Sequence, residues 1–163
     1  LEKLCDINNK SQRQLIIDTF GKFQKIIIEL DYKSDNYDNS FALISYWKPF
    51  ISNLEVILNI NDINIADKII DHNNFIITVN IKGEVNEIGE KIFTNCCSLR
   101  VVNFSFCKIK NIRNSAFEDC ASITEVKNLH SIETINLRTF YNCKNLKSIK
   151  IPESVNSISE FAF

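Results

Sequence analysis

Glycine and proline are scarce in this chain of 163 residues, with three and two copies. Gly21, Gly83 and Gly89 stand alone, so there is no glycine-rich loop to cradle a phosphate. An excess of either charge is also missing, since 19 Lys and Arg meet 20 Asp and Glu for a formal net charge of −1. That balance gives no basic surplus to drive nucleic-acid binding and no acidic tail. No apolar run approaches the roughly 18 residues of a membrane span, so membrane insertion by this segment is not expected. The six cysteines include no C-x-x-C pair, the usual zinc spacing.

What is present suits a folded chain, with 45% hydrophobic and 24% charged residues. There are 27 Ile and 21 Asn. Ile supplies β-branched bulk for buried, pleated surface. Asn can make the turns that glycine usually makes, because its short amide tolerates left-handed backbone. Many short strands separated by Asn-rich corners are therefore expected.

Those strands repeat. Phe93, Phe117, Phe140 and Phe163 are 24, 23 and 23 residues apart. Cys96, Cys120 and Cys143 follow the first three of them, and Ile88, Ile112, Ile135 and Ile158 precede all four. Val85, Ile109, Ile132 and Val155 lie further back, while Leu99, Ile123 and Leu146, then Val102, Val126 and Ile149, lie further on. A worn earlier copy runs through Ile65, Ile70, Ile76, Val79 and Ile81, with Asn73 in the Cys slot. One copy has too little apolar surface for a core, but stacked copies bury their stripes as ladders. Parallel strands are predicted at Ile76–Ile81, Leu99–Phe104 and Ile123–Asn128, about 4.8 Å apart. A fourth is predicted at Leu146–Ile151, with Ile149 and Ile151 pointing inward and Ser148 and Lys150 outward.

The run from Ile149 to Phe163, reading IKIPESVNSISEFAF, resembles the BspA-type leucine-rich repeat, as does the SAFEDCASI stretch from Ser115 to Ile123. The resemblance covers roughly Ile65 to Phe163. It implies an α/β repeat solenoid, a right-handed leucine-rich-repeat coil with a parallel strand ladder and short or irregular convex segments. Two departures stand out. Asn128 occupies a slot meant for an inward apolar residue, and the coil from Val85 carries one extra residue before Ile109. Domain organisation follows as an irregular repeat or capping region over 1–60 and about four repeats over 61–163. The pattern stops at Phe163 in mid-unit, which reads as a piece of a longer protein.

Residues 1–60 lack the clean unit. Ile16, Phe20, Phe23, Ile27 and Leu30 suit a helix face, although Ile26–Leu30 could equally be a buried strand. Asp31–Ser40 reads as a loop, Phe41–Ile51 as a helix interrupted near Pro49, and Leu54–Ile60 as another strand. Either residues 23–60 form one long irregular coil, the preferred reading, or the segment is a cap.

No catalytic, cofactor or metal site is expected. Cys96, Cys120 and Cys143 share a repeat slot and read as a ladder of small buried thiols. Their spacing of about 4.8 Å exceeds the 3.5–4.5 Å that suits a disulfide. Adjacent Cys96 and Cys97 should diverge, and Cys5, Cys97 and Cys107 read as ordinary fill. His72 and His130 fall in turns with no converging nucleophile and acid. Sequons occur at Asn9 and Asn103, the latter on a strand face where a glycan would block binding. The remaining candidate is the outward face of the strands, carrying Thr78, Asn80, Val101, Asn103, Glu125, Lys127, Ser148 and Lys150. Curved arrays offer such a face to protein partners. The resemblance implies a non-enzymatic, protein-binding role on a cell surface, with a cytoplasmic scaffold or an enzyme's recognition arm as alternatives.

Overall fold

The computed structural model describes residues 26–32, 54–60, 74, 76–82, 85–105 and 107–163. Five strands build one parallel sheet in the order β1 (Ile26–Tyr32), β2 (Leu54–Ile60), β3 (Ile76–Ile81), β5 (Val101–Asn103) and β7 (Glu125–Lys127). Two smaller parallel pairs complete the coil: β4 (Glu87–Ile88) with β6 (Asn111–Ile112), and β8 (Thr134–Ile135) with β9 (Ser157–Ile158). No helix occurs among the described residues. The chain therefore winds as a solenoid, and every strand neighbour is one coil away.

Register follows the repeat. Val79 faces Val102, which faces Val126, and Ile88 and Ile135 face Ile112 and Ile158. An irregularity between Val56 and Ile57 leaves Ile77 without a partner where β2 meets β3. The predicted ladders form the core, since Phe93, Phe117, Leu99, Ile123, Ile88, Val102 and Ile132 are all fully buried. Phenylalanine rings stack from coil to coil with centroids at 5.2, 5.4 and 5.8 Å and planes within 14°. Backbone bonds run beside them. The N–H groups of Phe93, Phe117 and Phe140 donate to the carbonyls of Ala116, Thr139 and Ala162 in the following coil.

Phe93, Phe117 and Phe140 each sit between two left-handed corners. Lys91 and Asn95 have φ of 56° and 58°, Ser115 and Asp119 57° and 60°, and Arg138 and Asn142 54° and 59°. These are the positions that glycine favours, yet none is glycine. Asn, or Asp in the middle coil, takes the second corner, as its tolerance of that region predicts. The first corner holds Lys, Ser or Arg, which sequence chemistry does not anticipate.

Three expectations need correction. Of the helix face and the strand left open over Ile26–Leu30 the strand forms, and Asp31 and Tyr32 extend it where a loop is expected. Consecutive β-branched residues override the helical spacing there. No strand forms over 146–151, and Ile151 is exposed while Ile149 is half-buried. A parallel partner for β7 would set Lys150 opposite Lys127, and Pro152 constrains the residue before it and cannot donate. Asn128 does not enter the core. Its φ of 55° turns it outward and Leu129 is buried in its stead. Cys5, Asn9, Ile16, Phe41–Ile51, Ile65, Ile70, His72 and Asn73 lie outside the described residues.

Candidate interaction face

Alternation along β3, β5 and β7 points Val79, Val102 and Val126 inward and their neighbours outward. Thr78, Val101 and Glu125 share one outward row, and Asn80, Asn103 and Lys127 the next. Exposure grows along both rows: Thr78, Asn80, Val101 and Asn103 are half-buried, whereas Glu125 and Lys127 are exposed. Ser148 and Lys150 are exposed too, but on the strandless fourth coil. Six of the eight expected face residues are thus set by strand register, and two by a loop.

The second row is a chain of side-chain amides. Asn80 donates from Nδ2 to Asn59 Oδ1 at 3.0 Å, and Asn103 donates to Asn80 Oδ1 at 3.4 Å. Lys127 follows in register, but Asn128 reaches back to Asn103 Oδ1 at 2.9 Å. Ser105 Oγ donates to that same oxygen at 2.8 Å. Lys127 is left to pair with Glu125 at 3.0 Å, an exposed contact of little energetic weight. Sequence reasoning placed Asn80 and Asn103 on the face without linking them. The available signal was asparagine recurring in one slot of successive coils.

A second polar row borders β4 and β6. Asn111 donates to Glu87 Oε2 at 2.9 Å, Asn136 donates to Asn111 Oδ1 at 2.8 Å, and Arg113 pairs with Glu87 at 2.7 Å. Both rows use amides to hold one coil on the next.

Thiols occupy the interior, as their slot predicts. Cys96, Cys107, Cys120 and Cys143 are buried, Cys97 is exposed, and none of the five forms a disulfide. Cys120 donates from Sγ to the Phe93 carbonyl at 2.9 Å, and Cys143 to the Phe117 carbonyl at 3.2 Å. Burial pushes the Cys143 thiol up to about 12 and raises Cys107. Cys120 is raised by its hydrogen-bonded neighbour Cys96 and then by burial. A thiol held neutral is a poor nucleophile and a poor metal ligand. No cluster of three or more metal-ligating side chains occurs among the described residues, and His130 lies exposed in the loop after β7.

The comparisons with known proteins fit this geometry. The model described as "BspA type Leucine rich repeat region" matches residues 63–163 in six copies. The chain belongs to this family. The BspA-type phrase thus extends over the worn coil as well as the clear ones. Among solved structures, a leucine-rich repeat protein from Eubacterium ventriosum is similar at a TM-score of 0.56 and 23% identity. That likeness covers 68% of this chain and 28% of the other, and it concerns the fold. No curated protein matches the chain.

Proposed function

We propose that this BspA-type segment is a non-enzymatic protein-binding module that works through the outward rows of its sheet. One observation carries the reading. Inward rows repeat one chemistry, Val79–Val102–Val126, while the outward row beside them changes from Thr78 to Val101 to Glu125. Packing dictates the first set and leaves the second free for a partner. Half-buried Val101 beside exposed Lys127 and Glu125 gives an apolar contact with a charged rim, the usual anatomy of a protein interface. A surface or adhesion role follows from the family resemblance. An intracellular scaffold, or the recognition arm of an enzyme, would use the same face. The pairing of β1 with β2 in the same sheet supports reading residues 23–60 as a longer, irregular coil of the array rather than part of a separate cap.

Charge reversal at Lys127 and Lys150 tests the face. Both side chains are exposed, so stability should change by no more than about 0.5–1 kcal/mol. Capture of a partner by the wild-type chain should weaken in the double variant. Equal capture by both proteins would count against the face.

A further inference from the structure

Adjacent coils are not joined equally. The coil from Val85 and the coil from Ile109 are bonded along both sheets. β5 pairs with β7 and β4 with β6, and the N–H groups of Lys110, Arg113 and Thr124 donate to the carbonyls of Asn86, Ile88 and Arg100. The coil from Ile132 is bonded to the segment after it through β8 with β9, and through Asn156 and Ser159 donating to Glu133 and Ile135.

Between the coils from Ile109 and Ile132 that bonding is missing. β6 and β8 are unpaired, and β7 finds no strand in 146–151. Among the described residues, no backbone bond joins 109–113 to 132–136 or 124–128 to 146–151. One slot shows what takes its place. Arg113, Asn136 and Ser159 are equivalent in the repeat, and the carbonyls of Ile88, Ile112 and Ile135 are their acceptors. Arg113 and Ser159 reach theirs with the backbone N–H, whereas Asn136 uses its side chain, Nδ2 lying 2.7 Å from the Ile112 carbonyl and 2.8 Å from Asn111 Oδ1. The backbone bonds that do cross lie in one corner, where Ser115, Phe117 and Asp119 donate to Leu137, Thr139 and Tyr141 beside the stacked rings.

Stability in a stacked array is a sum of repeat terms and nearest-neighbour terms, so cooperativity breaks at the weakest interface. We propose that this junction is a seam, at which residues 132–163 open as one cooperative unit while the coils from Val85 and Ile109 stay closed. Apolar packing and the corner bonds hold the seam shut, and Asn136 is its latch. The seam stands whether or not the outer face binds a partner. Lys127 lies on one side of it and Lys150 on the other, so a ligand gripping both would keep it closed.

Native-state hydrogen exchange of the full chain, read by amide NMR across sub-denaturing urea, tests the seam. Ser115, Phe117 and Asp119 belong to the coil from Ile109, but their acceptors lie beyond the seam. They should therefore open together with Phe140, Asn156 and Ser159, and exchange at least tenfold faster than Phe93, Lys110, Arg113 and Thr124. Asn136→Ala should speed the first group by a further factor of about ten and the second by less than about twofold. A smooth gradient from Ser159 to Phe93, or one opening shared by both groups, overturns the seam. So does an Asn136→Ala effect spread equally over both. Should that variant not fold, the wild-type grouping decides by itself.

Discussion

Asn128 donates its side-chain amide to Asn103 Oδ1 at 2.9 Å, although Lys127 is the residue in register with Asn103. The amide row therefore continues one residue out of step with the sheet, and a left-handed φ at Asn128 makes the reach possible. Asn103 gives one hydrogen bond and accepts two.

Replacing Asn103 with Ala should destabilise the chain by about 1–3 kcal/mol, given a net 0.5–1.5 kcal/mol per hydrogen bond. Equilibrium urea unfolding measures this. Because the amide is already committed, Asn103 should also stay unglycosylated in a secretory host. An added glycan mass on the peptide carrying Asn103 would contradict that view.

The phenylalanine stack is graded by burial. Phe117 is fully buried between two rings, whereas Phe163 is half exposed at 49%. Phe117→Ala should cost about 3–5 kcal/mol. Phe163→Ala should cost about 1 kcal/mol, as only part of its surface is removed from water. Similar losses at the two sites in denaturant titrations would argue against stacking as the source.

Left-handed corners occupied by ordinary residues carry strain. At Lys91, where φ is 56°, glycine relieves about 1–2 kcal/mol of left-handed cost and forfeits about 0.5–1 kcal/mol through chain entropy. Lys91→Gly should be stabilising by a few tenths to about 1 kcal/mol, and Lys91→Val destabilising. Melting temperatures of the two variants should fall on opposite sides of the wild type.

Buried thiols give stability an alkaline limit. Cys143 ionises near 12 when folded and near 8.5 in an unfolded chain, so the folded state holds more protons between those values. Its contribution is complete below about pH 8.5 and falls as pH rises through the window, with a slope of up to about 1.4 kcal/mol per pH unit. Cys143→Ala should flatten part of that fall in melts taken from pH 8 to pH 11, which cover the lower part of the window. Alkylation at neutral pH should mark Cys97 and spare Cys96, Cys107, Cys120 and Cys143 until denaturant is added. Cys120→Ala should cost about 1–2 kcal/mol, and zinc released by that change would overturn the structural reading of the thiols.

The solenoid was legible because its determinants are periodic. Phe93, Phe117 and Phe140 had to meet once coils stack, and the inward slots around them obey one rule. What escaped the sequence is local. A residue's φ leaves little trace in its identity, so Lys91 and Arg138 gave no warning of the corners they occupy. Asn128 looked like a buried error because a strand pattern assumes extended backbone, and one left-handed residue reverses which way the side chain points. Ile151 looked buried because alternation predicts facing but not whether a neighbouring strand arrives.

The forward-pointing bonds of Phe93, Phe117 and Phe140 make the number of coils adjustable while the cross-section stays fixed. Excising one whole period, from Phe117 through Thr139, brings Phe140 directly after Ala116 and leaves the donor of Phe93 facing the same acceptor. Cutting half a period would set a donor against a side chain. Such a molecule can lengthen or shorten only in whole-number steps.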